Sequence, residues 1–316
     1  MSEREPIQND TQPVETGKRE VFPANWHIAA NYDVHQLARR AENKLALQHD
    51  ARLEPDPKVP LIGMVSRLAD SKGFDLVAQG VSGIMSVTGE PGGAPVKSGI
   101  PLTDLGAGLF ATVGILAALE YRHRTGRGQH VDTSLLDAGV GLSVWESTQY
   151  FSGRGIPERL GSAHRMSAPY QAFRCADGYI TLGGANDRSF HRVCEVLGHP
   201  EWKEMPEFKT DGMRLANRVD LASRIEAITA GKPRGYWLEL FEANNIPCGP
   251  INDYEQVFQD PQVIARELVV QVEHPTLGAI RMLGSPIKMS ATPPDVARRA
   301  PLLGEHTREV LATPRS

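Results

Sequence analysis

An apolar segment that follows an acidic, glycine-containing turn constrains the fold of this chain most. Residues 98–109 read Ser-Gly-Ile-Pro-Leu-Thr-Asp-Leu-Gly-Ala-Gly-Leu, and apolar side chains recur beyond them at helical spacing. The segment ends in Arg-His-Arg-Thr-Gly at 122–126, and cations followed by glycine are typical of the last turn of a helix. The pattern therefore predicts a helix over about 105–124. Its apolar positions are Leu105, Leu109, Val113, Leu116 and Leu119.

Asp104 stands where this predicted helix begins. Backbone N–H groups and the positive end of the helix dipole stabilise a negative charge at such a place. Gly106 and Gly108 leave space for a bulky ligand to approach the backbone. An aspartate before a helix also serves as a simple N-cap in many proteins, so a catalytic and a capping role both stay open here.

Two further carboxylates compete with Asp104. Asp132 and Asp137 lie in Gln-His-Val-Asp-Thr-Ser-Leu-Leu-Asp at 129–137, a pattern that predicts a strand passing into a second helix. We expect Asp132 at a turn or strand edge, and Asp137 as a cap or ion-pair partner.

Composition excludes several classes of protein. A net charge of −4 without a basic run argues against a nucleic-acid partner. We expect no membrane segment, because no apolar stretch is expected to reach membrane-spanning length, and the polar N-terminus does not resemble a signal peptide. Three widely spaced cysteines (Cys175, Cys194 and Cys248) favour neither disulfides nor a zinc cluster. They predict buried thiols, no bound metal and a cytoplasmic location.

A series of ordered matches from about Phe74 to the C-terminus carries a family resemblance. The matches include residues 73–89, the Asp104 segment, and the short motifs at 169–173, 246–251 and 301–307. The chain resembles class III CoA-transferases, which include formyl-CoA and carnitine CoA-transferases, and within them the succinate–hydroxymethylglutarate branch. The resemblance implies that CoA moves from an acyl-CoA, such as succinyl-CoA, to a free carboxylic acid. It also implies no tightly bound cofactor, no metal, and a homodimer in which each chain threads the other.

The same resemblance suggests roles for five residues. Asp104 takes the position of the family's nucleophilic aspartate, which forms an aspartyl anhydride and then an aspartyl-CoA thioester. This chemistry needs an ionised, accessible carboxylate with amide donors beside it, so we assign the amides of Leu105 and Gly106 to the CoA thioester. His164 and Arg165 are candidate contacts for a substrate carboxylate, and a solvated loop is the alternative interpretation of this pair.

Two other activities within the family are disfavoured. Acyl-CoA racemases of the family use a His directly before an Asp as a proton-transferring group, and Phe74 stands at that position here. Formyl-CoA transferase has a run of glycines over its active site, whereas residues 161–169 read Gly-Ser-Ala-His-Arg-Met-Ser-Ala-Pro. The first difference disfavours racemisation. The second favours dicarboxylic acid substrates, because the succinate–hydroxymethylglutarate branch also lacks the glycine run and has a similar Gly-x-Ala-His.

The N-terminal part has a different resemblance. Residues 21–76 are similar to a fragment of bacterial glycogen or starch synthase, a family in which cations matching Arg67 and Lys72 contact nucleotide-sugar phosphates. A junction near 72–77 would replace the half of the CoA-transferase large domain that binds CoA. Two alternatives to an active transferase follow: an inactive hybrid or truncated chain, or a residual glycosyltransferase fragment.

These observations predict an α/β fold with a truncated Rossmann-like large domain and a smaller α/β domain. We expect a disordered tail at 1–20, the synthase-like fragment at 21–76 and the partial large domain at 77–176. The small domain follows at 177–275, and residues 276–316 return to the large domain. Local patterns predict a helix at 33–49 and strands at 59–66 and 179–182. They also predict a helix at 189–197, with Trp237, Leu240 and Phe241 in the core.

Overall fold

Helices and antiparallel strands follow one another along residues 73–294, 296 and 298–312, the part of the chain that this computed structural model describes. The predicted tail at 1–20, the helix at 33–49 and the strand at 59–66 lie outside the described residues, as do Arg67 and Lys72. The chain divides into two compact units. The first contains the described residues up to Ala78 and Thr103–Ala138, and the second contains Gln79–Leu102 and Gly139–Thr313.

Five helices precede the first strand. Two are short, and the third is the longest element of the described chain. Their bounds are α1 (Asp75–Val81), α2 (Ile84–Val87), α3 (Leu102–Thr125), α4 (Leu135–Leu142) and α5 (Val144–Phe151).

Helix α3 begins three residues before the predicted start. The Asp75 side chain of α1 explains this: its Oδ1 accepts hydrogen bonds from the backbone N of Thr103 at 3.0 Å and from Thr103 Oγ1 at 2.8 Å. This carboxylate satisfies an N–H group that a helix start leaves without an internal acceptor, so the helix extends back to Leu102. At the other end, Gly126 has a φ of 71° and follows the helix, as the sequence predicts.

The predicted apolar side of α3 is largely exposed. Leu105, Leu109, Val113 and Leu116 are between 54% and 69% exposed. The expectation that no apolar stretch reaches membrane-spanning length is wrong, because α3 has 24 residues and a mean hydropathy of 1.8, which is long and apolar enough to cross a membrane. Many alanines and glycines separate its large apolar side chains. Length and composition alone do not separate a membrane span from a helix that packs on protein.

The predicted strand at 129–134 is absent. Residues 127–134 are irregular, and α4 starts at Leu135. A strand needs a hydrogen-bonding neighbour, and among the described residues every strand pair lies between Tyr170 and Leu283. The isolated segment therefore has no described partner with which to form a ladder.

The second unit contains a three-stranded antiparallel sheet in the order β1 (Tyr170–Cys175), β2 (Gly178–Gly183), β3 (Cys248–Pro250). Strands β1 and β2 form a hairpin in which Phe173 lies opposite Ile180. Side chains alternate between the two faces, so Phe173, Cys175, Ile180 and Leu182 are buried together, while their neighbours face outward.

Helices between β2 and β3 cover the buried face of this sheet. They are α6 (Asp187–Val196), a 3₁₀ turn (Pro200–Glu204), α7 (Asp211–Ala216), α8 (Arg218–Thr229) and α9 (Arg234–Ala243). Asn186 caps α6 by accepting from the backbone N of Ser189. Sheet and helices share one hydrophobic core: Phe173, Cys175, Ile180, Leu182, Phe190, Val193, Cys194, Leu197, Trp202, Phe208, Leu221, Ile225, Trp237, Phe241 and Ile246.

The second unit continues with α10 (Tyr254–Val257), α11 (Pro261–Ala265), the antiparallel pair β4 (Val269–His274) and β5 (Gly278–Leu283), and α12 (Thr307–Ala312). The structure confirms the predicted strand at 179–182, the helix near 189–197, and the core positions of Trp237 and Phe241. Helices and sheets are mixed, as expected for an α/β chain. All described strand pairs are antiparallel, so the Rossmann-like parallel sheet stays a prediction.

Candidate functional site

Asp104 lies in the first turn of α3, and its side chain is exposed. It is the third residue of the helix, so the dipole stabilises its negative charge. The capping alternative does not describe it, because Asp75 supplies the acceptor for the first turn. No described residue donates a hydrogen bond to the Asp104 carboxylate. Within the described part of the chain, the group is therefore unpaired and accessible.

Leu105 and Gly106 were predicted to offer amide donors, on the assumption that the helix starts at 105. In a helix that begins at Leu102, the N–H groups without an internal acceptor are those of the first turn, up to Asp104. The amides of Leu105 and Gly106 come immediately after that turn. Gly106 is buried and Leu105 is exposed. A role for these two amides stays a prediction.

The competing carboxylates have simpler surroundings. Asp132 is exposed in the irregular segment before α4. Asp137 lies in the first turn of α4, where its Oδ2 accepts from Ser134 Oγ at 2.8 Å while its backbone N donates to the same hydroxyl at 3.1 Å. Asp137 thus takes part in capping, as the sequence indicated.

His164 and Arg165 lie together in the second unit, against α5. The imidazole of His164 stacks on Tyr170 with ring centroids 4.7 Å apart. The ring of Trp145 is nearly perpendicular to the imidazole, with centroids 4.6 Å apart. The backbone N of His164 donates to the Tyr170 carbonyl at 2.8 Å. The histidine is therefore part of an ordered aromatic cluster and not of a solvated loop.

Each of the three guanidinium nitrogens of Arg165 donates a hydrogen bond. Nε donates to Glu146 Oε1 at 3.4 Å, Nη1 to Gln149 Oε1 at 3.4 Å, and Nη2 to the Glu158 carbonyl at 3.0 Å. The side chain is only 11% exposed. Arg165 therefore holds its loop against α5, and little of it is open to a ligand.

An open groove of about 360 Å³ lies on the same unit, and Glu146 contributes to its wall. Its lining combines apolar side chains with serine hydroxyls, of which Ser143 donates to a backbone carbonyl of α4 and Ser147 to one of α5. Its remaining wall residues are Ser82, Gly83, Ile84, Ser86, Val87, Leu102, Leu142, Tyr150, Phe151 and Pro157.

A buried arginine fixes the chain just after the histidine. Arg214 is fully buried and donates to three backbone carbonyls, those of Ala168 at 2.9 Å, Phe208 at 3.1 Å and Ala185 at 2.9 Å. It also pairs with Asp187 at 2.8 Å. These bonds anchor the turn that leads into β1, and therefore the base of the His164 loop.

The sequence did not reveal the residues that hold the start of α3 or those that hold the loop of His164 and Arg165. Asp75 is 28 residues from Thr103, and no local pattern reports a cap at that separation. Trp145 and Glu146 belong to α5, whereas the residues that they contact, His164 and Arg165, lie in the loop before β1. Tyr170 belongs to a motif that signalled the family, but its stacking on His164 requires the folded chain.

The described elements define a mixed α/β protein that exposes an aspartate at a helix start. Comparison with known proteins gives the family. A family model described as CoA-transferase family III matches residues 58–307, and the chain belongs to this family. The resemblance to CoA-transferases begins at about Phe74, whereas the match of the family model begins at residue 58. The match therefore includes part of the segment that resembles glycogen synthase. That second resemblance and the junction near 72–77 stay predictions.

Individual relatives agree with the family. The chain is 38% identical over 249 residues to human succinyl-CoA:glutarate CoA-transferase, which covers 79% of this chain and 57% of the relative. It is 36% identical over 263 residues to formyl-CoA:oxalate CoA-transferase of Streptomyces avermitilis, covering 76% and 63%. A CAIB/BAIF family protein from Brucella suis matches in structure with a TM-score of 0.68 and 31% identity, covering 87% and 72%. The chain thus spans about three fifths of the length of the curated relatives it matches.

Proposed function

We propose that the chain is a CoA-transferase that moves CoA from an acyl-CoA to a free carboxylic acid. The observation that carries this proposal is the exposed Asp104 carboxylate in the first turn of α3. The family supports it, since the two curated relatives named above are both CoA-transferases. Activity, substrates and partners of this chain are proposals, because it spans only part of those relatives.

The proposed reaction uses Asp104 as nucleophile. The carboxylate attacks the thioester carbonyl and expels CoA as a thiolate, which gives an acyl–aspartyl anhydride. The thiolate then attacks the aspartyl carbonyl, which releases the donor acid and leaves an aspartyl-CoA thioester. The acceptor acid reverses both steps and leaves as its CoA thioester, so Asp104 is regenerated. Leu105 and Gly106 stay the proposed contacts for the CoA thioester, and the N–H groups of the first turn, up to Asp104, are the donors proposed for its developing oxyanions.

Dicarboxylic acids are the proposed substrates, with succinyl-CoA or a similar compound as donor. The relatives' names include succinyl, glutarate and oxalate, which are all of this class. His164 is the proposed contact for a substrate carboxylate, whereas Arg165, which the sequence paired with it, is engaged by Glu146 and Gln149 of α5. Phe74 in place of a histidine supports transfer over racemisation, since a phenyl ring carries no exchangeable proton. Exchange of the α-hydrogen of a 2-methylacyl-CoA for deuterium, at a rate that competes with transfer, would contradict this preference.

We further propose that the chain acts as a homodimer in the cytoplasm, without metal or tightly bound cofactor. The truncated Rossmann-like domain at 77–176 and the small domain at 177–275 belong to the same proposal. The exposed apolar side chains of α3 support the dimer, because a large exposed apolar patch is typical of an interaction surface.

The test is a transfer assay with succinyl-CoA and glutarate at millimolar concentration, with glutaryl-CoA measured by mass spectrometry. Asp104→Asn should abolish transfer, because an amide is not nucleophilic enough to open a thioester. Asp132→Asn is the matched control, since it removes an exposed carboxylate of the same unit. The acyl-CoA alone should leave a CoA adduct on the Asp104 peptide of the unchanged protein. A folded wild-type chain that forms no product at any acyl-CoA concentration would favour the inactive hybrid.

A further inference from the structure

The hydrogen bonds of His164 define which ring nitrogen carries the proton. The backbone N of Met166 donates to Nδ1 at 3.1 Å, so Nδ1 must present a lone pair. A neutral imidazole with an unprotonated Nδ1 carries its hydrogen on Nε2. The folded loop therefore selects a histidine that donates from Nε2.

This Nε2 has no acceptor among the described residues, although the atom is shielded from solvent. A shielded donor without an acceptor is unfavourable, and an incoming oxygen atom would remove that cost. Trp145 and Tyr170 flank the ring and are 54% and 48% exposed. Both flanking side chains therefore reach the surface of the second unit.

Arg165 cannot easily serve the same ligand. Its three arms are engaged by Glu146, Gln149 and the Glu158 carbonyl. Glu146 and Gln149 belong to α5, and so does Trp145, which contacts the imidazole. Arg165 thus ties the His164 loop to the helix that supplies one of the flanking rings, and its charge is balanced by Glu146.

We propose that His164 donates its Nε2–H to a carboxylate oxygen of the acid substrate, while Arg165 is a positioning residue that does not touch the acid. The inference rests on the proposed CoA-transferase function, and it divides between two roles a pair that the sequence treated alike. A carboxylate is the favoured acceptor, because hydrogen bonds to ionised groups are stronger than those to neutral oxygens.

The first test observes His164 directly. Protein labelled with ¹⁵N in its histidines is examined by two-bond ¹H–¹⁵N correlation spectra, and His164→Gln identifies the His164 signals. We expect the Nε2–H tautomer in the free protein and a shift of its Nε2 signal on addition of glutarate. Glutaramide, which has the same carbon chain without carboxylates, should leave the signal unchanged. A free-state Nδ1–H tautomer, or a signal that ignores glutarate, would overturn the proposal.

The second test separates positioning from contact. His164→Gln should raise the KM for the acid by about tenfold or more with a smaller effect on kcat, because the lost bond acts in binding. Arg165→Gln should raise the same KM and also mix the tautomers of His164, and Arg165→Lys should restore both in part. An Arg165→Gln variant that only melts earlier, with an unchanged His164 tautomer and KM, would refute the positioning role.

The outcomes distinguish this inference from the proposed function. If glutarate shifts His164 but the wild-type chain transfers no CoA, the donor role stands and the enzymatic proposal fails. If transfer proceeds while His164 ignores glutarate and His164→Gln keeps its KM, the inference fails and the enzymatic proposal stands. Far-UV circular dichroism of each variant confirms that it is folded.

Discussion

Burial controls the chemistry of the cysteine residues. Burial raises the pKa of the Cys194 thiol to about 12, and it also raises the pKa values of Cys175 and Cys248. Only the thiolate is a strong nucleophile, so raised pKa values make these groups unreactive near neutral pH. This agrees with the interpretation of the cysteines as small apolar residues.

Alkylation at different pH values checks this. With its pKa raised from 9.0 to about 12, Cys194 should react with iodoacetamide at pH 8 about a thousandfold more slowly than a free thiol. Its neutral form is favoured in the folded state, so this contribution to stability is complete below pH 9 and is lost as the pH rises towards 12. Mass spectrometry of timed samples gives the rates, and the partly exposed Cys248 is the internal control. Equal rates at both cysteines would contradict the prediction.

Arg214 is the residue whose loss should cost the second unit most. Arg214→Met removes the donor from three backbone carbonyls and from Asp187. We expect the free energy of unfolding to fall by about 3–5 kcal/mol, since buried acceptors lose their partners. Arg224→Met is the control: Arg224 pairs on the surface with Asp220, and its loss should cost about 1 kcal/mol or less. Urea denaturation of the two variants measures both changes, and equal values would refute the role of Arg214.

Among the secondary-structure elements, contacts between separate segments set where two of them begin or end. Helix α3 starts at Leu102 because a carboxylate on α1 accepts from its first turn. The hairpin of β4 and β5 is extended by a backbone bond instead, in which the N of Gly284 donates to the Leu268 carbonyl at 2.9 Å.

Two glycines, Gly284 and Gly212, differ in the space that surrounds them. A Cβ on Gly284 would lie 2.2 Å from the Glu267 carbonyl oxygen, which is rigid backbone, whereas a Cβ on Gly212 in α7 meets nothing within 4 Å. Gly284→Ala should therefore destabilise the chain by about 1–3 kcal/mol through steric overlap. Gly212→Ala should stabilise it by about 0.5–1 kcal/mol, because alanine loses less backbone entropy in a helix. Thermal unfolding compares them, and a stabilising Gly284→Ala would show that the strand end can move.

At the scale of the whole molecule, the described chain leaves much apolar surface uncovered. The large side chains of α3 are mostly exposed, whereas the core of the second unit is almost fully buried. The matched curated relatives are longer than the stretch that this chain covers. From both observations we propose that a complete CoA site needs polypeptide beyond the described residues.

We therefore expect the 316-residue chain to bind CoA weakly. By the family resemblance, sequence preceding the matched segment holds the adenine and phosphate contacts, and the loss of several contacts worth ~1–3 kcal/mol each gives a Kd on the order of millimolar or weaker. Isothermal calorimetry measures this value. Placing the corresponding N-terminal half of a relative upstream of Phe74 should recover transfer, and Asp104→Ala should abolish it again. Micromolar affinity of the chain alone would contradict the prediction.

Features that depend on neighbours along the chain can be predicted from the sequence alone. The apolar repeat predicted α3, the cations and glycine at 122–126 predicted its end, and alternation predicted β2. Motif order over residues 73–307 was enough for the family, and it marked Asp104 as the residue to examine. Each of these signals needs only local spacing or order, which a sequence records directly.

Features that depend on residues far apart in sequence appear only in the folded chain. Asp75 moves the start of α3 to Leu102, the strand predicted within 129–137 has no described partner, and the apolar positions of α3 are largely exposed. The folded chain also gives His164 and Arg165 different partners. The backbone N of Met166 donates to His164 Nδ1, whereas the Arg165 guanidinium donates to two side chains of α5. Hydrogen bonds and ring contacts between distant segments form only when the chain folds, so no local pattern contains them.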